Sequence, residues 1–179
     1  MDEIRQIQNR SMCWFHGAVL IITVILAIPY YTKTQPYGVF DYATLPFHEA
    51  GHFVFMLFGR FIGALGGTLV QLGMPLGFGL YFFLARKDYF AAGICAFWLF
   101  TQCITMSVYM ADARFMILPL FGGDEHDWNY LFGQMHLLHQ SVEIARGIRT
   151  LATVGMTVTI GALVWIVISE FRKSLSKEQ

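Results

Sequence analysis

"YFAAGICAFWLFTQCITMSVYMA", residues 89–111, runs for 23 residues without one Asp, Glu, Lys or Arg. An apolar helix needs about 20 residues to cross the hydrocarbon core of a bilayer. Three more charge-free windows have that length: Ser11 to Thr32, Phe61 to Ala85 and Thr150 to Ser169. Only 13% of the 179 residues are charged and 56% are hydrophobic, against about a quarter charged in soluble domains. Four such windows exceed what a water-soluble core of this size can bury. They predict an all-α, polytopic membrane protein with about 4–6 membrane helices and the lipid bilayer as its solvent.

The composition also excludes several classes. A formal net charge of zero leaves no basic surface to neutralise phosphates, so nucleic acid is not an expected partner. Cys13, Cys95 and Cys103 are odd in number and lie in apolar spans, which reads as small buried hydrophobes and not as a disulfide set. The first window is too long for a signal-peptide core, and "AIPYYTKTQPYG" offers no small-x-small cleavage site. No internal repeat or low-complexity tract divides the chain, so residues 1–179 are expected to form one integral membrane domain. Whether or not the segments at 44–59 and 127–146 cross, the Lys and Arg residues split seven to five. Both layouts put the two termini on the more positive, cytoplasmic side.

Between the first two windows stands "TLPFHEAGHFVFMLFG", residues 44–59. Thr44 is the expected N-cap of a helix with Pro46 in its first turn. The stretch "GALGGTLVQLGMPLGFG", residues 63–79, carries six glycines and Pro75. It is expected to begin as a short irregular segment and to continue as a span.

Histidines at i and i+4 share one helix face, so His48 and His52 can reach a single ion. Glu49 lies beside that pair, placed to meet a metal-bound water without being a ligand. This is the H-E-x-x-H arrangement of zinc hydrolases, two ligands plus a general base. An ionisable group amid apolar spans costs roughly 2.5–3.5 kcal/mol on insertion scales, which makes a functional site the default reading.

A catalytic zinc keeps three protein ligands and one open position. "GGDEHDWNY", residues 122–130, offers Asp124, His126 and Asp127 at the expected start of a helix. His126 ranks first, as an imidazole ligand with Asp127 beside it to orient it; Asp127 ranks second and Asp124 third. Asp124 and Glu125 also suit a helix N-terminus for dipole reasons alone. His136 and His139, three apart in "QMHLLHQ", are next in line. His16 reads as hydrogen-bonded to a neighbouring helix, and Asp112 with Arg114 as an ion-pair or interface feature. Gln71, Gln102 and Asn129 read as possible donors to a peptide or an oxyanion.

"HEAGH" in an apolar helix, the following "GALGGTLVQLGMP" and a later Gly-Gly turn with acids resemble the site-2 protease family of intramembrane zinc metalloproteases. The likeness covers about residues 44–130, the expected metal-site core. It implies His48 and His52 as zinc ligands, Glu49 as catalytic base and an aspartate as third ligand. The order of glycines and acids in "GGDEHDW" departs from the family pattern. The expected activity is hydrolysis of peptide bonds in membrane-embedded proteins or peptides, with Zn2+ as cofactor. The alternative is a non-catalytic, metal-binding scaffold or accessory subunit of a larger membrane complex. A di-iron oxygenase would call for about eight histidines where this chain has six. A transporter would call for paired broken helices that the sequence lacks.

Overall fold

A computed structural model describes residues 2–34, 36–119 and 125–176, with side chains from Arg10 onward. The described residues are almost entirely helical. Six α-helices follow in order: α1 (Asp2–Thr32), α2 (Val39–Phe55), α3 (Arg60–Leu80), α4 (Tyr89–Asp112), α5 (Asp127–Gln134) and α6 (Ser141–Leu175). A π-turn, Tyr81–Arg86, prolongs α3, and single 3-10 turns at Met56–Phe58 and Leu138–Gln140 precede α3 and α6. Four stretches are long and apolar enough to cross a membrane: Arg10–Thr32, Arg60–Arg86, Tyr89–Asp112 and Leu138–Leu175. The chain is an all-α, polytopic helical membrane protein.

Helix α4 is the central post, and its interior-facing residues make it the most buried span. Phe97 and Ile104 pack with Ala27 and Tyr30 of α1 and with Ala152 and Met156 of α6. Contact pairs set the directions. His16 of α1 meets Glu170 of α6 and stacks on Phe90 of α4. Tyr31 meets Thr157. Gly79 of α3 faces Cys95 of α4, and Gly93 and Gly155 face Leu163 and Phe100 across the α4–α6 seam. Thus α1 and α4 run one way, and α3 and α6 the other. The first turns of α1 and the last turns of α6 therefore share one end of the bundle with the Arg86–Asp88 turn. That turn reverses the chain through Lys87, whose φ of 52° is left-handed, and Asp88 caps α4 by accepting from Ala91 N–H at 2.9 Å.

Helix α2, with 17 residues, starts where α1 stops and continues in the same direction. It begins earlier than expected. Gly38, not Thr44, is its N-cap, and Asp41 accepts the Gly38 N–H at 2.7 Å. An acid at the third position returning to the cap backbone does the work assigned to Thr44. Thr44 lies inside the helix, buried, and bonds back to Phe40 O. Across from it, Arg149 of α6 donates to Lys33 O and Thr34 O at 2.7 Å each, closing the C-terminal end of α1.

The expected irregular Gly-rich segment is instead continuous helix, α3. In water each glycine would weaken it by about 1 kcal/mol, but here the missing side chains let two helices touch. A Cβ on Gly51 would meet the backbone carbonyl of Gly66, and one on Gly63 would lie 3.0 Å from Met56 Cα. Small residues at such a seam are the ordinary device of helix pairing in lipid.

Candidate metal centre

The close seam between α2 and α3 fixes the two histidines. His52 Nδ1 lies 2.9 Å from Gly63 O, so Nδ1–H donates to that carbonyl and Nε2 is left as a lone pair. The partner of His48 follows by elimination from the far end of a hydrogen-bonded line. Asp41 is a carboxylate that accepts, so Gln102 must present its Nε2–H to Asp41 Oδ1, at 3.0 Å. Gln102 Oε1 then accepts from Gln71 Nε2 at 3.0 Å. Gln71 Oε1 is left to accept from His48 Nδ1–H at 2.9 Å. His48 Nε2, like that of His52, is therefore an acceptor.

Those two nitrogens face each other at 3.0 Å. Asp127, the first residue of α5, brings Oδ2 to 3.5 Å from His48 Nε2 and 3.3 Å from His52 Nε2. Three acceptor atoms with no donor among them repel one another unless a cation or a proton sits between. Ligands on a tetrahedral zinc, at 2.0–2.1 Å from the ion, stand about 3.3–3.4 Å apart. The triangle of 3.0, 3.3 and 3.5 Å fits one face of that tetrahedron. His48, His52 and Asp127 are the metal-capable group among the described residues. Gly67 of α3 completes the cradle: a Cβ there would press on His52 Nε2 and lie 2.7 Å from His48 Nε2.

The hydrogen bond to Asp127 raises the pKa of His52 above its ordinary value, against the opposing pull of burial. Burial pushes the Asp127 carboxyl up, but the two imidazoles beside it outweigh burial and hold it low.

Glu49 is half-buried and lines the same cavity, close enough for its charge to act on His52. The cavity, about 660 Å3, is walled by Tyr37, Tyr42 and Leu45 on one side and by Tyr109, Trp128 and Tyr130 on another. Arg60 stands at its rim, paired with Glu125 at 2.7 and 2.8 Å and lying 4.6 Å over the Tyr130 ring. That pair ties the start of α3 to the segment that delivers Asp127.

The first-ranked third ligand is elsewhere. His126 is fully buried, stacked on Tyr109 at 4.0 Å, and acts as the N-cap of α5. Its Nδ1 accepts from Asn129 N–H at 3.2 Å, so Nε2 carries the proton and faces Asp112 at 3.5 Å. Burial lowers its pKa, which keeps the ring neutral. A side chain folded back over its own helix start cannot also reach the histidine pair, whereas its successor turns into the cavity. Asp124, ranked third, lies outside the described residues.

The remaining expectations sort as follows. His136 and His139 share no helix face: α5 ends at Gln134, His136 has a left-handed φ of 58°, and both side chains are exposed. His16 meets Glu170 at 2.8 Å, the expected neighbouring-helix bond. Asp112 accepts from Ile117 and Leu118 N–H at 3.0 Å each, while Arg114 lies 5.9 Å over Phe115. Asn129 donates to Ala113 O at 2.7 Å. Gln71 and Gln102 bond to each other, Gln71 also to His48 and Gln102 also to Asp41.

Three participants escaped sequence reasoning. Asp41 stands seven residues before His48, hence on the same helix face, a spacing that could have exposed it. Gly67 and Tyr109 carried no such signal. Comparison with protein-family models, with curated proteins and with solved structures finds no match to this chain.

Proposed function

We propose that this protein is a membrane zinc metallopeptidase in which His48, His52 and Asp127 hold the metal and Glu49 is the general base. The observation that carries the reading is the triangle of three acceptor atoms beside a fourth ionisable group in one cavity. The likeness of "HEAGH" to the site-2 protease motif supports the same assignment, with an aspartate as third ligand. When bound, zinc supplies a Lewis acid that polarises a carbonyl and brings the pKa of a water to about 7. Glu49 takes the proton from the attacking water and passes it to the leaving amine. The aromatic walls of the cavity bind apolar side chains of the peptide, and the rim pair Arg60–Glu125 marks its polar mouth.

The charge at the two ends of the bundle supports a sidedness. The end that holds the first turns of α1, the Arg86–Asp88 turn and the last turns of α6 carries Arg5, Arg10, Arg86, Lys87, Arg172 and Lys173, six of the eleven Lys and Arg among the described residues. By the positive-inside bias that end is cytoplasmic. Gly67 lies about 28 Å along α3 from Arg86 at 1.5 Å per residue, and the hydrocarbon core is about 30 Å thick. The metal site therefore sits near the opposite surface, and the substrate is a membrane protein or peptide cleaved close to that interface.

The deciding experiment is the Glu49→Gln variant, purified beside the wild type and tested on membrane-peptide substrates. It should keep one zinc per chain and lose hydrolysis by about 10²–10⁴-fold, the usual worth of a general base. A variant that binds zinc and retains full cellular function would make the protein a metal-binding scaffold or accessory subunit of a membrane complex.

A further inference from the structure

We infer that Gln71, Gln102 and Asp41 form a positioning relay that fixes the tautomer and aim of His48 toward the metal. The inference rests on the metal reading above and adds to it residues that are not metal ligands. A histidine ligand has two ring nitrogens, and whichever carries the proton cannot bind a metal. His52 is committed by a backbone carbonyl, Gly63 O, 2.9 Å away, which no side-chain substitution removes. His48 has only a side-chain amide, Gln71, and an amide can present either end. What holds Gln71 with its oxygen toward His48 is Gln102, fully buried, and what holds Gln102 is the charge on Asp41.

Asp41 is itself held from four directions. Besides Gln102, it accepts from Thr105 Oγ1 at 2.6 Å on one oxygen, and from Tyr30 OH and Gly38 N–H at 2.7 Å each on the other. The line therefore begins at a saturated carboxylate where α1, α2 and α4 meet, and ends at one metal ligand. Reversing either amide would set N–H against N–H or oxygen against carboxylate, so the orientation propagates without ambiguity. Outer partners of this kind typically carry 10–100-fold in metal affinity.

Positioning and mere packing predict opposite orders for two substitutions. Gln71→Leu keeps the volume but removes the acceptor for His48 Nδ1–H. Gln71→Glu keeps an acceptor there while placing a carboxylate against Gln102 Oε1. A positioning role predicts that zinc affinity, read by chelator competition on the full-length protein, falls about 10–100-fold in the Leu variant. The Glu variant should stay within a few-fold of wild type. Melting of the metal-free protein should rank the other way, Glu below Leu, because an acid is buried against an oxygen. Gln102→Leu should weaken zinc in the wild-type background and add nothing in the Gln71→Leu background. Thr105→Ala, which touches Asp41 outside the line to His48, should lower the melting temperature and leave zinc affinity unchanged. Cobalt-loaded protein gives a second readout, with an altered visible spectrum in Gln71→Leu and Gln102→Leu and an unchanged one in Thr105→Ala.

Zinc affinity that tracks melting temperature across these variants, or a Gln71→Leu protein that binds zinc as the wild type does, overturns the relay while leaving the metal centre intact. A wild-type protein that binds neither zinc nor cobalt overturns both.

Discussion

Two short segments converge on the metal centre, and they are built on different principles. "HEAGH" delivers His48 and His52 by helix periodicity: four residues apart on one face, whatever else the chain does. "DEHDW" delivers Asp127 through the start of a short helix, where neighbouring residues point in unrelated directions. In α2 the assignment survives any error of one or two residues in the helix boundary. In α5 it reverses with one residue, since the N-cap turns back to the backbone and the next side chain turns out. A periodic element can be read from spacing, whereas a cap must be seen.

The largest effect should come from the periodic half. His48→Ala or His52→Ala removes one of three ligands, and the purified variants are expected to carry less than a tenth of the zinc of wild type by metal analysis. Asp127→Ala should fall in the same class. If Asp127→Ala keeps a full complement of zinc while the histidine variants lose it, Asp127 is not the third ligand, and the two segments are less alike in importance than their geometry implies.

The next test sharpens the contrast within the α2–α3 seam. Gly51 and Gly67 are both glycines of close approach, but what faces them differs. At Gly51 a Cβ meets the backbone of Gly66, which cannot give way, so Gly51→Ala should separate the helices and lower the melting temperature with or without zinc. At Gly67 it meets the ring tips of His52 and His48. Those side chains can swing aside, so Gly67→Ala should fold at a near-normal melting temperature and lose zinc affinity by more than tenfold. Equal effects of the two variants on both readouts would mean that the cradle is only a packing contact.

How much was legible follows the same division. The four spans could be read because the absence of charge is a one-dimensional property; the ends of three matched the charged residues that bound the windows, while the fourth runs from Leu138 to Leu175, past Arg149 and Glu170. The start of α2 was missed because its cap is a glycine completed by Asp41, with no Ser or Thr to announce it. The first half of α3 was expected to be irregular because glycine propensities measured in water do not apply where the glycines face another helix in lipid. The histidine pair with its adjacent glutamate could be read as geometry, while Asp41 and the two glutamines depend on how α2, α3 and α4 pack.

The smallest effect, and the sharpest on the adjacent pair, belongs to His126. As N-cap and stacking partner of Tyr109 it stabilises the start of α5 without approaching the metal. Replacing a capping side chain with Ala costs about 0.5–2 kcal/mol, and loss of the ring contact adds to that. His126→Ala should therefore melt several degrees lower yet bind one zinc with wild-type affinity. Asn is a strong N-cap residue, so His126→Asn should recover the capping part of the loss and none of the stacking part. The two variants together separate a cap from a ligand, because Asn restores the first and is a poor substitute for imidazole as the second. A His126→Asn protein that regains stability but has lost zinc would make His126 a ligand after all, and would give α5 two metal-facing residues where the geometry shows one.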